Sequence, residues 1–367
     1  MGLASKLYRG ETRFDFIGTR RRWYAASLLL VLVCLLSFLL RGFNVGIDFK
    51  GGTQFQVPGG SGVTATTVDN AMSKGPVHAD GAAQQVGNGG NRSVIIKTKE
   101  ISQTEQTAVK NALAGQLKIP ASSITVDSVS STWGSEITKK AVQGLIVFLI
   151  AVFIYITIRY EWKMGIAALV ALLHDLIISA GIYSIVGFEL TPSTIVGLLT
   201  ILGFSLYDTV VVFDKVNENV RDLGATARMT YGEAANLAVN QTLMRSINTS
   251  LISLLPVAGL LFVGAGLLGV GTIKDLALIL FIGLAVGAYS SLFLATPIVV
   301  ELKEREAESK ALAKRVAAKR AAAAKSGEPV LAGAAGVEVN RPATLGTPAP
   351  APRPGARPSR KQPRKRP

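Results

Sequence analysis

Residues 190–213 read LTPSTIVGLLTILGFSLYDTVVVF, a run of apolar and small side chains interrupted by one acid, Asp208. A helix needs about 20 such residues to cross the hydrocarbon of a bilayer. Five other stretches reach a comparable length: Trp23–Leu40, Ala141–Ile158, Met164–Phe188, Ser246–Ile273 and Leu276–Val300. Buried helices of soluble proteins rarely run so far without a charge on one face. The chain is therefore expected to be a membrane all-α bundle of six transmembrane helices. The first stretch follows Arg20, Arg21 and Arg22, lacks a small-residue cleavage site and runs into Arg41 and Gly42, so it reads as a retained span and not a removed leader.

Composition agrees with this reading. Of 367 residues, 17% are charged, against about 25% in soluble globular chains, which excludes a single soluble domain. The net charge of +15 is unevenly placed: residues 301–367 hold 16 Lys and Arg and 6 acids, a net of +10, leaving +5 for the first 300 residues. A single cysteine, Cys34, excludes a disulfide framework and a cysteine-built metal site.

Lys and Arg in short connections mark the cytoplasmic side of a membrane protein. With the N-terminus inside, the inner pieces before the tail carry 6 (residues 1–22), 2 (Arg159 and Lys163) and 4 (residues 214–245), whereas the two short outer loops carry only Lys274. Both termini are then cytoplasmic. The chain divides into a cytoplasmic segment (1–22), a first span (23–40), an extracytoplasmic domain (41–140), a five-helix bundle (141–300), a cytoplasmic basic helix (301–325) and a disordered Pro-rich basic tail (326–367). In the 41–140 insert, the pattern predicts strands near Gly46–Val57, Ser93–Thr98 and Ser123–Ser130, helices near Thr64–Ser73 and Ser102–Leu117, and a Gly-rich turn through Gly87–Asn91. This is a small α+β layer. Gly51-Gly52 and Pro58-Gly59-Gly60 read as turns or hinges. Eight of the 15 prolines fall in residues 342–367, which end in KQPRKRP. Such a tail has the charge to touch anionic lipid or ribosomal RNA, or it is a solvated extension.

Tyr and Cys34 aside, three ionisable side chains lie within the spans: His174, Asp175 and Asp208. A charge in hydrocarbon is costly, so such groups usually face a bundle interior and mark a pathway or relay. Asp208 is the sharpest candidate, with Ser205 three residues earlier on nearly the same face. Two antiparallel helices joined on the inner side bring the end of one beside the start of the next, so Arg245 is the cation expected to meet Asp208, with Asn248 and Thr249 as polar neighbours. Arg does not deprotonate; its role would be to set the proton affinity of the acid. His174 and Asp175 point about 100° apart on a helix, so one is expected to cap a pocket while the other bonds across helices. Asp214 is expected at the inner interface with Lys215. Gly283 and Gly287 form a GxxxG pattern that permits close helix approach. Gly259, Gly264, Gly266 and Gly269 loosen the fifth span around Pro256, a candidate hinge.

The ordered motifs FDFIGTRRRW (14–23), NVGIDFKGGTQF (44–55), RYEWKMGIAALVALLHD (159–175), GFSLYDTVVVFDKVNENV (203–220) and QTLMRSINTS (241–250) closely resemble the SecF proteins of the SecD/SecF family, within the resistance-nodulation-division superfamily. The resemblance covers residues 14–300. It implies a bacterial cytoplasmic-membrane protein that partners SecD beside the SecYEG channel and aids preprotein translocation and membrane insertion with the proton-motive force. A YidC-type insertase and SecA are further partner candidates. It implies no enzyme activity and no cofactor, protons being the driving ion. It implies a ferredoxin-like fold for the insert. The family's intramembrane Asp falls on Asp208 and its Arg on Arg245, while Tyr207 stands where the family usually has Asn.

Rival readings are an intramembrane aspartyl protease using Asp175 and Asp208, a lipid or small-molecule exporter of the same superfamily, and a scaffold without proton use. The protease reading lacks a Gly-x-Gly-Asp partner motif. The exporters usually carry about twice as many spans in one chain, so half such a unit should need a partner.

Overall fold

The computed structural model describes residues 14–60, 62–86, 92–267 and 271–326. The N-terminal residues 1–13, the turn expected through 87–91, Gly269 and the tail beyond 326 lie outside the described residues.

Among the described residues, six helices are long and apolar enough to cross a membrane: Arg20–Leu40, Ser131–Arg159, Trp162–Val186, Pro192–Thr226, Tyr231–Gly264 and Lys274–Glu304. They are referred to below as spans one to six. Apolar faces with no protein neighbour are the rule on spans one, two and five: Leu28, Leu29, Leu32, Ile146, Ile150, Leu251, Ile252 and Leu255 are all exposed. In a bilayer this surface meets acyl chains, which are as apolar as Leu. Spans three, four and six, with the first half of span five, carry the buried core, with Ala167, Ala171, Leu202, Val212, Ala235, Ala238 and Ala295 in one cluster.

Glycines set how closely these helices approach. A Cβ at Gly283 would lie 2.1 Å from Ile201 Cδ1, one at Gly287 would lie 3.0 Å from Ser205 Cβ, and one at Gly181 would lie 2.2 Å from Cys34 Sγ. The GxxxG pair therefore seats span six against span four. Span six changes geometry past this contact: Gly271–Ser290 is α-helical, Ser291–Ala295 is a π turn, and Thr296–Glu304 resumes the α-helix. The expected continuous basic helix after the last span is instead broken at Arg305 and Glu306 and restarts as Ala307–Ser326. The restarted helix is not simply solvated. Val316 is buried, Arg320 makes two hydrogen bonds to Glu233, and Arg315 and Lys319 donate to the carbonyls of Gly224 and Thr226.

Between spans one and two lies an α/β unit. Strands β2 (Gly52–Pro58), β3 (Gln84–Val86), β4 (Ser93–Thr98) and β5 (Thr125–Val129) form an antiparallel sheet in the order β3-β4-β2-β5. Helices Ala65–Ser73 and Gln103–Leu117 connect them, giving a β-α-β-β-α-β order. Phe55, Val57, Val94 and Ile96 point to one face and pack on Val68, Met72, Val109 and Leu113, the period-two alternation of a half-buried sheet. Each helix opens with a capping box, at Thr64 and at Ser102. The strand expected over Gly46–Val57 is divided: β1 (Asn44–Val45) pairs in parallel with β6 (Glu189–Leu190), the chain turns through the short helix Ile47–Lys50, and β2 begins at Gly52. Gly51 (φ +77) and Gly52 (φ +146) make that division possible. A Cβ at Gly51 would lie 2.6 Å from the Ser131 backbone where span two starts, and one at Gly52 would lie 2.7 Å from Thr98 O. The Gly-Gly pair is thus a close-contact joint and not an ordinary turn.

At the opposite end of the bundle, ion pairs join elements far apart in sequence. Arg20 meets Glu301 and Glu304 at 3.3 and 2.9 Å, Lys303 meets Glu161 and Glu306 at 2.8 and 3.0 Å, and Lys163 binds Glu306. The backbone N–H groups of Phe14, Phe16 and Ile17 donate to Asn240 and Asn236 of span five.

Gly283→Leu should lower the thermal midpoint in detergent, since overpacking costs about 1–3 kcal/mol, whereas Gly203→Ala, with open space around its Cα, should leave it unchanged or raise it. The hydrogen bond from Lys163 holds the Glu306 carboxyl below its ordinary value of 4.5, with burial opposing and Lys303 assisting. A group with a lowered folded pKa contributes stability above its unfolded value that is lost as pH falls through the folded one. Glu306→Gln should therefore destabilise the protein at neutral pH and lose its effect as the solution is acidified below that ordinary value, as read by thermal unfolding across pH.

Candidate functional site

The three intramembrane titratable groups of the sequence lie at the packed centre of the bundle. Asp175 is 1% exposed, Asp208 3% and His174 5%. Hydrocarbon offers no hydrogen-bond partner, so a buried carboxyl must find its donors in the protein. Both acids find them in serines. Asp208 Oδ1 accepts from Ser246 Oγ of span five at 2.8 Å, and Oδ2 accepts from Ser291 Oγ of span six at 2.7 Å. Asp175 Oδ2 accepts from Ser205 Oγ of span four at 2.6 Å and from Ser290 Oγ of span six at 2.8 Å. Asp175 Oδ1 lies 3.2 Å from His174 Nδ1. Four spans thus converge on two carboxyls.

The expected contact between Asp208 and Arg245 does not form. Arg245 is exposed and donates from Nη2 to the Tyr207 hydroxyl at 3.3 Å. Consecutive helical residues point about 100° apart: with Ser246 facing Asp208 inside the bundle, Arg245 is turned onto the flank, and Tyr207 is turned outward with it by the same geometry. Tyr207 is 52% exposed. Asn248 is exposed, and Thr249 donates to the carbonyl of Arg245 at 2.8 Å, so neither touches Asp208. Ser205 lies one turn from Asp208, as its spacing suggests, but its hydroxyl serves Asp175. Asp214 sits exposed and accepts from Tyr160 Oη at 3.4 Å, while Lys215 pairs with Glu218 and not with Asp214.

Helical geometry alone has His174 and Asp175 acting apart. Instead the ring reaches back to the neighbouring carboxyl, which also bonds across helices. Ser246, Ser290 and Ser291 escaped the sequence reading because serine is common at helix contacts of membrane proteins. The available signal was their position: Ser246 next to Arg245, and Ser290-Ser291 one turn beyond Gly287.

What this arrangement can do follows from its donors. Among the described residues no Lys or Arg contacts either acid, and His174 is the one basic group in reach. Hydroxyls stabilise an ionised carboxylate by donating to it, and a protonated carboxyl can donate in return. The site is suited to taking up and releasing protons. No cluster of metal-ligand residues is found among the described residues. Because leaving a buried polar group without its partner costs about 1–3 kcal/mol, Ser246→Ala and Ser291→Ala should each lower the thermal midpoint in detergent measurably, while Arg245→Gln, which loses one exposed bond to Tyr207, should shift it little.

Comparison with known proteins places this geometry. Residues 108–305 match the family model described as protein export membrane protein SecD/SecF, C-terminal, and residues 36–60 match the SecD/SecF GG motif, which contains the Gly51-Gly52 joint. The chain is 47% identical over 326 residues to protein translocase subunit SecF of Streptomyces coelicolor, covering 89% of this chain and 86% of that one. It is 48% identical over 329 residues to the corresponding subunit of Mycobacterium leprae, covering 86% and 70%. The crystal structure of SecDF, a translocon-associated membrane protein from Thermus thermophilus, superposes with a TM-score of 0.71 at 33% identity, covering 83% of this chain and 40% of that one. The chain therefore spans about two fifths of the SecDF protein. With the family model, the relatives and the six-span fold in agreement, the chain is a multi-pass membrane protein belonging to the SecD/SecF family of protein export membrane proteins.

Proposed function

We propose that the chain is the SecF-type subunit of a SecD–SecF complex that assists SecYEG-dependent translocation of preproteins across, and their insertion into, the bacterial cytoplasmic membrane, and that it draws on the proton-motive force. The observation that carries this reading is the burial of Asp208 among serine donors from two neighbouring spans. An acid there can change charge only by exchanging a proton, and each exchange alters which hydroxyls face it. Protons are then a driving ion and not a reactant, and the protein needs no cofactor.

This chain covers only about two fifths of the relative named SecDF, which favours a SecD-type partner for this one. The exposed Tyr207–Arg245 pair supplies a polar patch on the flank of spans four and five, suited to meet that partner. Arg245 would influence the acids from this interface and not by direct contact. The basic residues Arg20, Lys163 and Lys303 gather with the N-terminal segment at one end of the bundle, the end the positive-inside rule assigns to the cytoplasm. The α/β unit then stands on the outer side as a ferredoxin-like module, and the Gly51-Gly52 joint transmits span movement to it. Moving one charge through 100 mV supplies about 2.3 kcal/mol, enough to bias a two-state element.

Asp208→Asn should abolish the gradient-stimulated part of preprotein export in inverted membrane vesicles and leave the basal part intact. Export by the variant as fast as wild type under the same gradient would remove the proton role.

A further inference from the structure

Asp208 is not the only group built for this chemistry. Asp175 is the more deeply buried of the two acids, it bonds two serines and a histidine, and the transport reading above has no use for it. His174 is buried beside it at 5% exposure, and its Nε2 has no hydrogen-bond partner among the described residues. Its ring lies 6.1 Å from the Tyr289 ring, centroid to centroid. The titratable groups on this path are His174 against Asp175, Tyr289 against the His174 ring, and Asp208 one turn along span four from Ser205, which serves Asp175.

Ser290 and Ser291 connect the two acids. They are consecutive residues, yet each serves a different carboxyl: Ser290 donates to Asp175 and Ser291 to Asp208. Both also have a second acceptor on their own helix, Gly287 O at 3.3 Å for Ser290 and Ala288 O at 3.2 Å for Ser291. An ionised carboxylate takes the serine hydrogen bond. A protonated carboxyl donates from one oxygen and still accepts at the other, so when the proton sits on Oδ2, the oxygen that Ser290 or Ser291 faces, that serine hydroxyl turns to its own helix carbonyl. No covalent bond changes beyond the O–H bond of each acid; one proton is gained or lost there, and one hydroxyl rotates. The two rotating hydroxyls stand where span six passes from α to π geometry, and π turns are frequent at functional sites.

We propose that His174 and Asp175 form a second proton-binding site coupled to Asp208 through the Ser290–Ser291 pair, so that the charge on one carboxyl sets the proton affinity of the other. This rests on the proton-driven reading above. Of the two acids, His174 touches Asp175 alone, so the link between them is the consecutive pair Ser290 and Ser291, one on each carboxyl, which carries each ionisation to the π turn.

The test is infrared difference spectroscopy across pH on the complex with its partner in proteoliposomes, following the protonated-carboxyl bands. Two titrating bands are expected. Asp175→Asn should remove one and shift the midpoint of the other by about one pH unit or more, the scale at which sites titrate as a pair. His174→Gln, which spares both carboxyls, should move the Asp175 midpoint, and Ser290→Ala should reduce the shift between the bands. A single band, lost in Asp208→Asn and unmoved by Asp175→Asn, His174→Gln and Ser290→Ala, would overturn the proposal. If Asp175→Asn does not fold, unchanged midpoints in His174→Gln and Ser290→Ala overturn it equally. Coupled bands accompanied by export that ignores the gradient would sink the transport reading and leave the coupled pair standing.

Discussion

Two carboxyl groups buried inside an apolar bundle must find hydrogen-bond donors, and the packing of the membrane part brings protein hydroxyls to them. Four serines from three spans do this. A serine side chain is short, so the helices that carry it must come close, and they can do so only where a neighbour lacks a Cβ. Gly287 against Ser205 and Gly283 against Ile201 meet that requirement. Close packing and acid solvation are in this sense one constraint: widening the contact between spans four and six would withdraw the serines from Asp175.

The same dependence explains the placement of charge. Arg245 and Ser246 are neighbours in sequence, but one lies on the flank with Tyr207 and the other inside with Asp208. Placing the guanidinium inside would bury a permanent charge in contact with one acid. Placing the hydroxyl there supplies a donor that carries no charge. Other permanent charges gather at one end of the bundle, where Arg20, Lys163 and Lys303 bind Glu161, Glu301, Glu304 and Glu306 and fix the ends of spans one, three and six together.

Much of this architecture was legible in the residues themselves. Bilayer thickness fixes the length of an apolar helix, so the spans could be read from runs such as 190–213, and the strand near Ser93–Thr98 and the helix near Ser102–Leu117 could be read from the residue pattern. The interrupted stretch at 46–52 was harder. Its apolar residues fit a strand, and the division at Gly51-Gly52 arises because the start of span two approaches the backbone there, a contact between residues about eighty positions apart. The break at Arg305 and Glu306 was hidden likewise, since an Ala-, Glu- and Lys-rich run favours helix locally while Lys163 and Lys303 hold Glu306 from the side.

The sequence by itself determined the membrane class, the identity of the buried acids and the family motifs, because these depend on hydrophobicity and residue type along the chain. Only the tertiary structure decided which groups meet those acids. Spacing brought Asp208 and Arg245 to the same level of adjacent helices, but the rotation of each helix about its own axis, set by packing against Gly283, Gly287 and the core of spans three to six, gave the contact to Ser246 and Ser291 instead.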